Sequence, residues 1–272
     1  MSLVSRPARR MRPISRNHRS ALVIAHPGHE LLVYNWLSLV NPCVFVLTDG
    51  SGHSRKSRLH RTTSILNSLG ARPGSIYGRL TDAEAYSAIL AGEVGVFISM
   101  AGELAEALVL NRIEYIVGDA IEGFNPVHDI CRLIINAAVT KVCRMGYCVD
   151  NFDVVPAYKP DDAPKAMTDI VWIAAGERML AEKLQVARDY AELAVEVNRI
   201  IAQEGIMSLA TEYLRPVHEN SYDQVLQERP YYELYGMKQV AAGRYQQVIG
   251  YRDHVFPIGE ALKEFSRGLA VR

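Results

Sequence analysis

Cysteine is scarce, with four in 272 residues at positions 43, 131, 143 and 148. No Cys-x-x-Cys pair is present. That scarcity excludes a disulfide framework and reads as reduced, mostly packed thiols in a cytoplasmic protein. A Cys143–Cys148 metal pair is the one other use the spacing allows. No window holds about 18 consecutive apolar residues, so no transmembrane helix is expected. Net charge is absent as well, 30 Lys and Arg balancing 30 Asp and Glu. With no excess of either sign, neither nucleic acid nor an anionic membrane is expected as the main partner. No Gly-x-Gly-x-x-Gly follows the first strand-like run and no Walker loop occurs, which argues against a nucleotide-binding protein. Ser51 stands beside His53 without the Gly-x-Ser-x-Gly elbow a nucleophile would need. There is no internal repeat and no low-complexity segment.

The charge balance breaks only in the first twenty residues. They hold Arg6, Arg9, Arg10, Arg12, Arg16 and Arg19 and no acid. Residues 1–19 are expected as a basic, solvated tail. A transit peptide is the alternative, against which Pro7 and Pro13 weaken the helix it would need. Residues 20–272, about half apolar, suffice for one large α/β domain.

Short apolar runs then alternate with longer helical patterns. Strands are expected over 21–25, 43–48, 75–77, 113–117, 154–158 and 170–175. Helices are expected over 29–40, 55–69, 82–90, 94–110, 126–145 and 177–203, the last being the longest. This alternation predicts a mostly parallel sheet with helices on both faces. From about 206 the chain becomes rich in Tyr and charge. An irregular cap is expected there, with a final helix near 258–265.

Two segments carry chemistry. Ala25-His26-Pro27-Gly28-His29-Glu30 follows the first strand and opens a helix, and Gly28 leaves room for two imidazoles to approach one point. Glu122-Gly123-Phe124-Asn125-Pro126-Val127-His128 follows the 113–117 strand and opens another. Ligands of open parallel sheets bind outside the carboxyl ends of strands. If the two strands are neighbours, His26, His29 and His128 make a three-ligand site with an open position, the pattern of catalytic zinc. Spacing alone also allows histidines that merely cap helices, and His53, His60 and His254 are competing candidates.

These segments resemble the LmbE-like (PIG-L) family of zinc-dependent N-acetylglucosaminyl de-N-acetylases. The family's Ala-His-Pro-Asp-Asp-Glu matches residues 25–30, and its His-Pro-Asp-His matches Asn125-Pro126-Val127-His128. Leu47-Thr48-Asp49-Gly50 resembles the turn after the family's second strand. Arg58 and Asp82 fall where the family places substrate-binding residues. The resemblance runs from about residue 20 to 175. It implies a Rossmann-like three-layer sandwich and a metal-dependent hydrolase acting on an N-acylated amino-sugar or glycoconjugate. It also implies zinc, or another divalent transition metal, on His26, His29 and His128.

The departures define a divergent member. One carboxylate ligand has become His29. The family's general base maps to Gly28, which cannot accept a proton. Its oxyanion-stabilising histidine maps to Asn125, which can still donate a hydrogen bond. Asp49 is the first candidate for a replacement base, with Glu30 behind it. The alternative is a metal-binding relative without catalysis, in a binding or regulatory role. The sequence leaves assembly open, so an oligomer is possible, and it does not identify the sugar or acyl group.

Overall fold

The computed structural model describes residues 17–155, 170–217 and 228–269. Its centre is a seven-stranded sheet. The strands are β1 (Ser20–Ile24), β2 (Cys43–Thr48), β3 (Arg72–Leu80), β4 (Tyr115–Gly118), β5 (Asp150–Val155), β6 (Val171–Ala174) and β7 (Thr211–Pro216). Their order across the sheet is β3-β2-β1-β4-β5-β7-β6. The first five run parallel, while β7 is antiparallel to both β5 and β6. The expected mostly parallel α/β architecture is therefore what the chain adopts.

Alternate strand residues serve opposite layers, because successive side chains leave a strand on opposite faces. Ala21, Val23, Phe45 and Ile116 pack against α4 (Val94–Leu110), α5 (Pro126–Arg144) and α9 (Phe256–Arg267). Leu22, Ile24, Val44, Val46 and Val117 pack against α1 (Tyr34–Val40) and α2 (Leu59–Leu69). A Cβ on Gly118 would come within 2.5 Å of the Val23 carbonyl. A glycine is thus required where β4 passes β1 beneath α5.

Several boundaries differ from expectation. The 29–40 helix opens as a 3-10 turn, His29–Val33, before α1. The 55–69 helix begins only at Leu59, and the 113–117 strand shifts to β4. The 154–158 strand begins at Asp150, and 156–158 lie outside the described residues. The 177–203 helix divides into α6 (Glu177–Asp189) and α7 (Ala194–Glu204). Tyr190, between them, turns its ring into a buried cluster with Leu31, Tyr34 and Ile65. The residues expected as an irregular cap hold β7, α8 (Tyr231–Ala241) and α9. Among the described residues no helix is long and apolar enough to cross a membrane.

Candidate functional site

Chain order reverses around β1. The chain steps outward from β1 to β2 and β3, then returns to β4 on the other side. A crevice at the carboxyl ends of β1 and β4 is the topological switch point, where open α/β sheets hold ligands. His26 and His29 leave β1 there. Asp119 and Glu122 leave β4, and His128 stands in the first turn of α5.

The three imidazoles gather into a triangle. Ring centroids are 5.6 Å apart for His26–His29, 5.1 Å for His26–His128 and 4.4 Å for His29–His128. Three imidazoles gripping one zinc through Nε2 in tetrahedral directions would place their centroids about 5 Å apart.

Each ring has its Nδ1 on a carboxylate. His26 Nδ1 lies 3.0 Å from Asp82 and 2.7 Å from the Thr48 hydroxyl. His29 Nδ1 lies 2.8 Å from Asp119, and His128 Nδ1 bonds Glu122. A carboxylate on Nδ1 fixes the tautomer with a proton there and leaves Nε2 as a lone pair. His26 Nε2 is buried with no hydrogen-bond partner. A buried lone pair without a donor is an unmet demand that a cation would satisfy. Among the described residues no group of three His, Cys, Asp or Glu side chains is placed, as it stands, to hold a metal ion. The imidazoles are gathered and oriented but not closed on a common point.

Electrostatics follow from this packing. Burial lowers the His26 pKa to about 4, with the neighbouring imidazoles adding to the shift. His26 is therefore neutral near pH 7, the state in which it can ligate. Burial works against charge on His29, but Asp119 outweighs it and the pKa rises. Burial likewise opposes charge on Asp119 and Asp82. His29 holds the Asp119 carboxyl below its usual range, and His26 does the same for Asp82.

The other expected residues divide. Asp82, expected as a substrate contact, is buried and commits Oδ1 to His26 and Thr48 and Oδ2 to the Gly52 amide. It positions His26. Glu30 is fully buried, accepting from the Gly28 amide at 2.6 Å and the Thr62 hydroxyl at 2.7 Å. It braces the turn. Asp49 accepts from the Ser51 amide at 2.9 Å, and no bond joins it to the three histidines. Arg58 is half-buried and donates to the Gly50 carbonyl. Asn125 caps α5 through Oδ1, which accepts from the Val127 amide, while Nδ2 donates to Tyr86 Oη at 3.0 Å.

Position 28 carries a second consequence. Gly28 has φ +113°, and a Cβ built there would meet Leu193 Cδ1 at 2.5 Å. The turn between α6 and α7 thus lays an apolar side chain where an aspartate at 28 would stand.

No family model matches the chain, and no curated protein matches it. Among solved structures, the triple mutant of a deacetylase from the teicoplanin biosynthetic pathway is 15% identical, spans 75% of this chain and 99% of its own, and gives a TM-score of 0.47. The A40926 pseudoaglycone deacetylase Dbv21 is 16% identical, spans 75% of this chain and 98% of its own, and gives 0.49. The zinc-inhibited form of teicoplanin deacetylase Orf2 is 15% identical, spans 74% and 99%, and gives 0.42. Likeness at this level decides nothing about activity.

Sequence reasoning missed four contributors: Thr48, Tyr86, Asp119 and Glu122. Thr48 ends β2, Asp119 and Glu122 follow β4, and Tyr86 lies in the second turn of α3 (Asp82–Leu90). Asp119 bridges the site doubly, taking the Ala25 amide on Oδ2 at 2.6 Å and His29 on Oδ1. Its place directly after the 113–117 strand was the one available signal.

Proposed function

We propose that this protein is a metal-dependent hydrolase of the de-N-acetylase type, holding zinc through His26, His29 and His128 and removing the acyl group from an N-acylated amino-sugar or its conjugate. One observation carries the reading: three imidazoles at the switch point, each with Nδ1 on a carboxylate, one of them with a buried, unpartnered Nε2. The resemblance of residues 25–30 and 125–128 to the de-N-acetylase motifs supplies the reaction class.

Zinc, when bound, supplies a Lewis acid that polarises an amide carbonyl and acidifies water. The chain supplies the rest. Asp82, Asp119 and Glu122 hold the tautomers. Asn125 keeps one amide N–H beyond the one given to Tyr86, and that hydrogen can meet a developing oxyanion, a contribution of about 3 kcal/mol in comparable holes. The Arg58 guanidinium, beyond its bond to Gly50, keeps donors for substrate hydroxyls. Base catalysis falls to Asp49 or is absent, since position 28 is glycine and Glu30 is sealed.

A second reading has its own support. Leu193 over Gly28 suits a relative that binds metal and ligand without turning over. Acetate release from a panel of N-acetylated sugars separates the two. Release that falls at least tenfold in Asp49→Asn fits the hydrolase with Asp49 as base. No release from any sugar by zinc-loaded protein would overturn the hydrolase reading.

A further inference from the structure

The chain from β2 through α2 to β3 carries charge of one sign. From Gly50 to Thr81 there are six Lys and Arg and no Asp or Glu, in a protein of zero net charge. Three of the six are answered elsewhere. Arg61 pairs with Glu192, Arg79 with Glu103, and Arg72 donates to Asn111. The other three, Arg55, Lys56 and Arg58, lie in the loop between β2 and α2 and have no carboxylate partner among the described residues. Arg55 and Lys56 are exposed, and Arg58 is half-buried. Asp49, the one carboxylate at the start of the loop, takes the Ser51 amide. Like charges set this closely repel one another, so Arg55 and Lys56 cost the fold stability rather than adding to it.

The backbone holds these cations beside the histidines. The Arg58 amide donates to the Asp49 carbonyl at 2.8 Å and closes the loop. The first half of the loop is tied to His26: the Gly52 amide donates at 2.7 Å to Asp82, the carboxylate on His26 Nδ1. The second half returns to the turn between His26 and His29. A Cβ built on Gly50 would stand 2.8 Å from both Arg58 Nε and Pro27 Cδ, so the guanidinium lies beside Pro27. Between these anchors Arg55 sits at φ +55°, a left-handed conformation that residues other than Gly, Asn and Asp rarely take. An arginine kept where a glycine would be easier, with no carboxylate to fold against, points to a ligand.

The chemistry says which ligand. A guanidinium is always charged and offers paired donors to two oxygens of one anion, and a lysine adds a compact positive charge. Three cations within four residues exceed what one carboxylate needs. They match the two charges and several oxygens of a phosphate monoester.

We propose that Arg55 and Lys56, together with Arg58, hold a phosphate carried by the substrate, so that the substrate is a phosphorylated N-acyl amino-sugar. This rests on the amino-sugar reading of the site. The phosphate is remote from the amide, and binding energy gained there would hold the reacting sugar in place.

Titration calorimetry on the zinc-loaded full chain reads binding without turnover. The probes are N-acetylglucosamine, its 1-phosphate, its 6-phosphate and inorganic phosphate. At least one of the two sugar phosphates should bind tenfold or more tightly than the plain sugar, and the comparison of the two shows where the phosphate is attached. The advantage should shrink severalfold between about 0.05 and 0.5 M salt, because exposed cations are screened. Arg55→Asn/Lys56→Gln, in which Asn tolerates the left-handed conformation, should lose the advantage while melting no lower than the wild type and keeping its zinc. Arg55→Lys/Lys56→Arg should keep most of it. Sugar phosphates that bind no more tightly than the plain sugar would overturn the proposal. So would an advantage that survives in the neutral variant, which would put the phosphate on the metal. Inorganic phosphate binding as tightly as the sugar phosphates would also overturn it, by leaving a general anion patch. A neutral variant melting well below the wild type would do the same, by giving the two cations a structural role. Phosphate-dependent binding that needs the two cations, in a protein releasing acetate from no sugar or sugar phosphate, would sink the hydrolase reading and leave the phosphate site standing.

Discussion

At the residue scale the site is a set of second partners. Three histidines could be read from the sequence because Pro27, Gly28 and Pro126 mark turns and helix starts after apolar runs. Two of the pairings with carboxylates could not, because Asp119 stands 90 positions from His29 and Asp82 stands 56 from His26, whereas Glu122 stands only six from His128 in the segment already singled out. An amide in place of Asp119 could accept at only one end, so either the Ala25 amide or His29 Nδ1–H would face an N–H. Asp119→Asn should therefore weaken zinc binding about 10–100-fold, as loss of such outer partners does, measured by competition with a chelating dye. Gly28→Asp, the obvious way to restore a base, should fail alone. It meets Leu193 in a backbone conformation L side chains rarely adopt, and overpacking with strain costs about 1–3 kcal/mol each. Paired with Leu193→Ala it should recover much of the melting temperature and raise acetate release. Unaltered melting of the single variant would contradict the packing at position 28. Asp129 offers a pH test in metal-free protein. Burial pushes its pKa up to about 7 from an ordinary 3.8. Its stabilising contribution is then full below about pH 4 and lost as pH rises through 7. Asp129→Asn, which keeps an acceptor for the Glu122 and Gly123 amides, should be the more stable protein at pH 8, with the gain shrinking by pH 5 in urea unfolding.

At the scale of elements, the parallel half of the fold was legible, and of the antiparallel end the 170–175 strand was legible as β6 while β7 was not. Apolar runs such as 21–25 and 43–48 are buried on both faces, and that burial is what makes them visible. β7 reads Thr-Glu-Tyr-Leu-Arg-Pro, whose charges hide it. They are answered from afar: Arg215 pairs with Asp153, and buried Glu212 takes Lys183 Nζ at 2.8 Å and the Asn35 and Trp36 amides at the start of α1. Burial raises the Glu212 pKa, and Lys183 and the two amides work against that rise. Glu212→Ala would strand a buried ammonium and two amides, at a cost of about 3–5 kcal/mol. A loss below about 1 kcal/mol in chemical denaturation would show that β7 is not anchored this way. The break at Tyr190 was hidden for a related reason. No Gly or Pro marks it, and the ring's burial among α1 and α2 residues decides it.

At the scale of the whole molecule, the chain gathers its three histidines at the carboxyl ends of β1 and β4, and α8 meets the loop that leads to His128, the Tyr232 amide donating to the Gly123 carbonyl. Residues 1–16 of the basic N-terminal stretch lie outside the described residues; Arg19 is tied to the sheet, its amide donating to Glu114 at 3.0 Å and its carbonyl accepting from the Glu114 amide at 2.8 Å. A chain beginning at Asn17 should melt like the full protein, since a stretch without apolar periodicity cannot offset its ordering entropy. One beginning at Ser20 loses the Arg19 contacts and should melt slightly lower. A large drop on starting at Asn17 would show that the basic stretch packs or assembles. The central claim concerns the ion. Zinc added to purified protein and dialysed should remain at about one equivalent per chain by elemental analysis, and His26→Ala/His29→Ala/His128→Ala should retain none while still folding. Absence of bound transition metal in the wild type after zinc addition, or normal zinc retention by the triple variant, would contradict the account.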